Sequence, residues 1–184
     1  MIKEDLDRIR YRLTDRDFLE NKGLSNEVGV HVFCYEPKDE MIVQSYIKRL
    51  KSEENTPYRI IERDLYELFL QLLEDKRILD KIPDMEEKKG GPYLLEKLQN
   101  IAGPKAILQK MDYEGHQPGQ DVLFLTGVGK IYPFLRSHKI LDSMQSIFED
   151  IPVVLFYPGT FDGNSLSLFG EFLDGNYYRA FNLI

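Results

Sequence analysis

Cysteine is almost missing from this chain. Cys34 is the only one in 184 residues, so no internal disulfide can form, which fits a reducing cytoplasm. Long apolar runs are missing too: nothing approaches the roughly 18 residues that a membrane-crossing helix needs. The first residues, MIKEDLDRIRYRL, are charged and lack the apolar centre of a secretion signal. There is no basic excess, since 24 Lys and Arg face 31 Asp and Glu, a net charge of −7. The two signs are interleaved, as in KEDLDRIR and RLKSEE, which is the pattern of solvated helix faces and disfavours direct, autonomous DNA binding. Repeats and low-complexity segments are absent. What remains is a globular composition, 42% hydrophobic and 30% charged, enough for one core over residues 1–184.

The hydrophobic periods change along the chain. Ile2, Leu6, Ile9 and Leu13 recur at helical spacing, which predicts an amphipathic helix over 1–20. VGVHVFCYEP reads as a buried strand closed by Pro37. A helix follows, with Asp39 as its expected N-cap, then a short strand at Tyr58–Ile61 and a long helix over DLYELFLQLLEDKRILDKI. Residues 84–120 read as a helical and loop insertion: DMEEKKGGP as a charged loop, then two short helices and the polar loop YEGHQPGQ. DVLFLT and VVLFY are apolar on both faces, as burial between two helical layers demands, with a helix expected from about Phe134 to Phe148 between them. The closing stretch carries Asp174-Gly175-Asn176 between two β-rich runs, the signal of a hairpin. The expected fold is α/β, one three-layer domain around a mainly parallel sheet, related to phosphate-loop hydrolases or to Rossmann folds, with an antiparallel hairpin at the C-terminal edge.

Chemistry-bearing patterns are incomplete. Gly127, Gly129 and Lys130 follow a strand as a phosphate loop would, but GxxxxGK[ST] is broken by Ile131 and GxGxxG by Pro133-Phe134. The first strand runs into Pro37-Lys-Asp-Glu where a phosphate loop would place glycines. Ser137 has no G-x-S-x-G elbow, and His138 reads as a structural helix residue. Asp162 in PGTFDG reads as the carboxylate of an Asx turn, its further carboxylates Asp142 and Glu171 being distant in sequence. His31 and Cys34 are three apart on one strand, so they face opposite sides, and with His116 and His138 far away no metal site is expected. Tyr132, Arg136, Asp162, Tyr177 and Arg179 are the candidate interface residues, since aromatics and Arg dominate binding hot spots. Phe181 reads as core, and Arg179 either as half of a buried ion pair or as an interface anchor.

The run GVGKIYPFLRSHKILDSMQ, then IPVVLFYPGTFDG, LSLFG and NYYRAF, resembles the BrxB family of bacteriophage exclusion (BREX) systems, sharply over Asp121–Phe181. The resemblance implies a cytoplasmic component of a multi-protein antiviral system that also contains a large ATPase, a DNA methyltransferase and a PglZ protein related to alkaline phosphatases. It carries over no catalytic residue and no cofactor. The expected function is a non-catalytic assembly or adaptor subunit, with the PglZ-type protein as first partner. The alternative from the residues alone is a nucleotide- or nucleic-acid-handling enzyme with a degenerate phosphate site after 121–126.

Overall fold

Two apolar clusters, one on each face of a central sheet, organise the molecule. The computed structural model describes residues 2–22, 29–144, 147–174 and 180–184. In chain order the elements are α1 (Ile2–Leu13), α2 (Arg16–Leu19), β1 (Val30–Tyr35), α3 (Glu40–Lys51), β2 (Arg59–Asp64), α4 (Leu65–Asp75), α5 (Ile82–Lys89), α6 (Gly91–Ile101) and α7 (Pro104–Met111). They continue with β3 (Asp121–Thr126), α8 (Val128–Ile131), α9 (Ser137–Met144), β4 (Val153–Phe161), β5 (Leu166–Leu168), β6 (Phe172–Asp174) and β7 (Phe181–Asn182).

The strand order is β2-β3-β4-β1-β7, all pairs parallel, with β5 and β6 added antiparallel beyond the end of β4. The fold is therefore α/β with a mainly parallel sheet and an antiparallel hairpin. From β1 the chain crosses to the far edge, then returns one strand at a time through β2, β3 and β4. A reversal of direction along a sheet requires the crossovers to change face, because each must be right-handed. Accordingly α3 packs with α1 and α2 on Phe33, Tyr35, Phe124 and Phe156, whereas α4, α6, α7 and α9 pack on Val32, Leu123, Leu125 and Leu155. Alternation along β1 separates His31 from Cys34, which faces the second cluster. Phe33 pairs in register with Phe156, and the Phe156 ring also meets Phe124 at 4.8 Å, welding three strands on one face.

Several local expectations are corrected. The first helix stops at Leu13, and Asp15 starts α2 by accepting from the Asp17 amide at 3.0 Å. Asp39 makes no side-chain cap, since Pro37–Asp39 form a 3₁₀ turn leading into α3. The long helix ends at Asp75, with Arg77 left-handed at φ 53, and a short 3₁₀ turn links it to α5. DMEEKK is helical: Pro83 opens α5, Asp84 sits in its first turn and Lys88 and Lys89 in its last, the signs that suit the helix dipole. Strand β2 runs three residues past Ile61, to Asp64, and β4 runs through Pro158–Phe161. The helix expected from Phe134 starts at Ser137, because Leu135 is drawn into the core and Phe134 stacks on Phe69 at 5.0 Å. No helix among the described residues is long and apolar enough to cross a membrane.

Candidate interaction site at the carboxyl end of the sheet

In open parallel sheets ligands bind beyond the carboxyl ends of the strands, where neighbouring connections part. Here that point lies between β1 and β4, and its β1 side is acidic. The Tyr35 hydroxyl donates to Glu40 at 2.6 Å, Gln44 donates to the same carboxylate at 2.7 Å, and Glu36 pairs with Lys38. Burial, and then Glu40, push the Tyr35 hydroxyl well above its ordinary range. Burial also lifts the Cys34 thiol to about 12, which keeps it protonated and unreactive.

The glycine segment after β3 is tied to β2. Asp64, at the end of β2, caps α4 by accepting from the amides of Tyr66 and Glu67 at 2.9 and 3.2 Å. Its second oxygen accepts from the Lys130 ammonium. Gly127 is left-handed at φ 76, and a Cβ there would lie 2.1 Å from the Asp64 carboxylate, so only glycine fits. Gly129 leaves room for the Phe169 ring, which a Cβ would meet at 3.0 Å. Gly127, Gly129 and Lys130 thus join a strand end to a helix cap, and the lysine's charge is matched by Asp64.

A short way along the same edge, α8, the turn after it, β4 and the hairpin enclose a cavity of about 250 Å³. Tyr132, Tyr157 and Phe172 give it aromatic walls, Leu173 adds to one side, and Arg136 and Glu171 stand on its rim. Tyr132 and Phe172 meet at 5.0 Å between ring centroids, and Phe169 meets Phe172 edge-on at 6.4 Å. Phe172 is 45% exposed and Leu173 68% exposed, unusual for two adjacent large apolar residues.

The placement of the β5–β6 hairpin depends on backbone strain. Its turn is Phe169-Gly170, left-handed at φ 56 and 72, with the Glu171 amide donating to the Leu168 carbonyl at 3.0 Å. This is a mirror-image turn of the kind hairpins favour, but with Phe where Asn or Gly normally sits. The ring contacts of Phe169 offset its poor backbone fit. The turn expected at Asp174-Gly175-Asn176 falls on residues 175 and 176, which lie outside the described ones. Gly159 completes the arrangement: a Cβ there would fall 2.1 Å from the Ser167 carbonyl oxygen, so glycine lets β5 approach β4.

The sequence candidates divide. Tyr132 and Arg136 meet at the cavity, Ser137 also lines it, and His138 lies in α9 beside them. Asp162 is elsewhere, accepting from the amides of Asn164 and Ser165 at 2.8 and 2.7 Å in the expected Asx turn; those bonds hold its carboxyl below the usual range. Tyr177 and Arg179, and the side chain of Asp142, lie outside the described residues. Phe181 is not core: it is 37% exposed on the edge strand β7, its ring 5.9 Å from that of His31. His116 lies far from the cavity, its Nδ1 3.0 Å from Asp150 and its ring stacked on Phe148. Among the described residues no group of three or more His, Cys, Asp and Glu side chains is placed to hold a metal ion. Phe169, Phe172, Leu173 and Tyr157 are the residues that sequence reasoning missed. For Phe169 and Phe172 the sequence signal is the aromatic pair in LSLFGEF, whereas Tyr157 sits in the apolar run VVLFY and reads there only as strand.

The model of the family described as "BREX protein BrxB" matches residues 61–183, which include the cavity and the strands that support it. The chain belongs to the BrxB family. A BREX protein BrxB from Bacillus cereus (strain H3081.97) is 45% identical over 190 residues, spanning 100% of this chain and 97% of that protein. Another, from Escherichia coli O9:H4 (strain HS), is 28% identical over 179 residues, spanning 97% of this chain and 90% of the relative. No solved structure matches the chain significantly. Membership assigns the chain a role in BREX defence, within a system of other BREX proteins.

Proposed function

We propose that this chain is a non-catalytic assembly or adaptor subunit of the BREX system, acting in the cytoplasm through protein–protein contacts. Its first partner is the PglZ-type, alkaline-phosphatase-related protein of the same system. The observation that carries the reading is the solvent-facing aromatic cavity formed by Tyr132, Tyr157 and Phe172, flanked by charged Arg136 and Glu171. Rigid aromatics beside an arginine are what protein interfaces use as anchors. The competing reading, a nucleotide- or nucleic-acid-handling enzyme with a phosphate site at Gly127–Lys130, has less support. Lys130 already serves Asp64, and the crevice beyond β1 presents carboxylates where phosphates would need amides and cations.

Mixing the purified chain with the PglZ-type protein should give one co-eluting species on size exclusion. Arg136→Glu and Tyr132→Ala should each weaken that complex at least tenfold while leaving the far-ultraviolet circular dichroism spectrum unchanged. Separate elution across concentrations and salts would remove the proposal.

A further inference from the structure

Among the described residues, the two most exposed large apolar side chains are Tyr11 on α1, 81% exposed, and Met41 at the start of α3, 71% exposed. Ile42 beside Met41 is exposed as well. Arg10 reaches Glu53, just past the end of α3, at 3.1 Å, so the carboxyl ends of the two helices lie together. Along their outer side runs a groove of about 730 Å³, lined by buried Leu6 and Tyr46, by Met41 and Ile42, and by the charged residues Lys3, Asp7 and Arg49. Exposed apolar side chains gathered around one groove are the mark of a protein contact.

The charges select the occupant. The three arginines of α1 each reach a carboxylate: Arg8 meets Asp5 at 3.8 Å, Arg10 meets Glu53, and Arg12 meets Asp15 at 2.6 Å. Lys3 and Asp7 differ. Both are exposed and stand one turn apart, yet neither forms an ion pair with a side chain among the described residues. Base before acid is the poorer order for pairing inside one helix. Arg49 lies over the Tyr46 ring at 5.0 Å and is engaged there. The groove's unpaired charges are therefore one base and one acid, which cancel and offer a strongly charged partner no complement. They do complement themselves. A two-fold axis that sets α1 antiparallel to α1 of another copy brings Lys3 of each chain to Asp7 of the other. Tyr11 lies one turn beyond Asp7, so the same rotation carries it towards the amino end of the other copy's groove, where α3 begins with Met41 and Ile42. A thioether against an aromatic ring is a favourable contact.

We infer that the α1–α3 groove is the interface of a homodimer: α1 of a second copy of this chain lies antiparallel in it, exchanging Lys3–Asp7 pairs about a two-fold axis and covering Tyr11 with Met41 and Ile42. This goes beyond the adaptor reading and shares no residue with the aromatic cavity, so each can fail without the other. Helices of 12 residues are about 18 Å long, which makes a small interface and a dimer that dissociates in the micromolar range.

Sedimentation equilibrium of the purified chain across the micromolar range should show monomer and dimer in exchange. Lys3→Glu sets like charges together at Asp7, and Asp7→Lys does so at Lys3, so each alone should weaken self-association about tenfold while circular dichroism stays unchanged. Mixing the two variants should bring the dimer back to within about threefold of the parent, because opposite charges then face one another at both contacts. A chain that stays monomeric throughout overturns the inference. A dimer indifferent to both variants overturns it too, since another face then holds the copies together. A mixture no tighter than the separate variants does the same, because Lys3 then does not face Asp7.

Discussion

Replacing His31 with Phe should flatten the pH dependence of stability between about pH 6.5 and 4. His31 is 5% exposed, and its ring lies 4.9 Å from Phe18 and 5.9 Å from Phe181. Its Nδ1 is buried without a hydrogen-bond partner. Around it stand Arg12, Asp17, Asn21 and Lys22, with Arg12 held by Asp15 at 2.6 Å and Lys22 paired with Glu20. Burial first, and the Arg12 charge second, lower the imidazole from 6.5 to about 4. The folded state therefore keeps the ring neutral where the unfolded chain has already bound a proton. Stability is fully present above pH 6.5 and falls as pH drops towards 4, since the unfolded state binds more protons in that window. At about 1.4 kcal/mol per pH unit the loss is about 3 kcal/mol. Urea unfolding followed by circular dichroism, for the parent chain and His31→Phe, reads the difference directly. The phenyl ring suits the Phe18 and Phe181 neighbours and cannot titrate. If both proteins lose stability in parallel over this range, the account of His31 is wrong.

Gly159→Ala should cost about 1–3 kcal/mol by forcing β5 off β4, and it should weaken partner binding as well, because β5 carries the hairpin that forms the cavity. Asp121→Ala should cost about 3 kcal/mol in chemical denaturation. Asp121 is fully buried and accepts from Arg59 at 2.6 and 2.7 Å, Tyr113 at 2.7 Å and the Gln117 amide at 3.0 Å. Burial alone would raise its carboxyl, but those bonds outweigh burial and hold it below the usual range. Titrating the chain with ATP and magnesium in a calorimeter should give no binding heat, and a saturable signal lost in Lys130→Ala would revive the phosphate-site reading. Phe169→Asn should relieve strain at φ 56 yet remove the ring that meets the wall residue Phe172 edge-on, so thermal stability should change little while partner affinity falls about tenfold.

Much of the scaffold is legible in the residues. DVLFLT marks its strand to the residue because a strand buried on both faces leaves a continuous apolar run. Helices α3, α4, α6 and α7 show themselves by their stripes, as in Leu65, Leu68, Phe69, Leu72 and Leu73. Boundaries are less legible. Ser137, not Phe134, opens α9, because Phe134 and Leu135 respond to a core made of distant residues. The β5–β6 turn is hidden for a related reason: Phe169-Gly170 is a poor turn by local chemistry, and its ring contacts come from tertiary packing that local rules do not see.

The sequence by itself determined that this chain would form an α/β structure, and its spaced C-terminal segments pointed to the family. Both are properties of local pattern, set by which residues alternate and which recur at helical spacing. The site was decided only in three dimensions. Lys130 reaches Asp64 across 66 positions, and the cavity needs Tyr132, Tyr157 and Phe172 from three different elements. Charge pairing and cavity shape depend on strand order, and strand order comes from how the crossovers pack on the two faces, which no local stretch of sequence encodes.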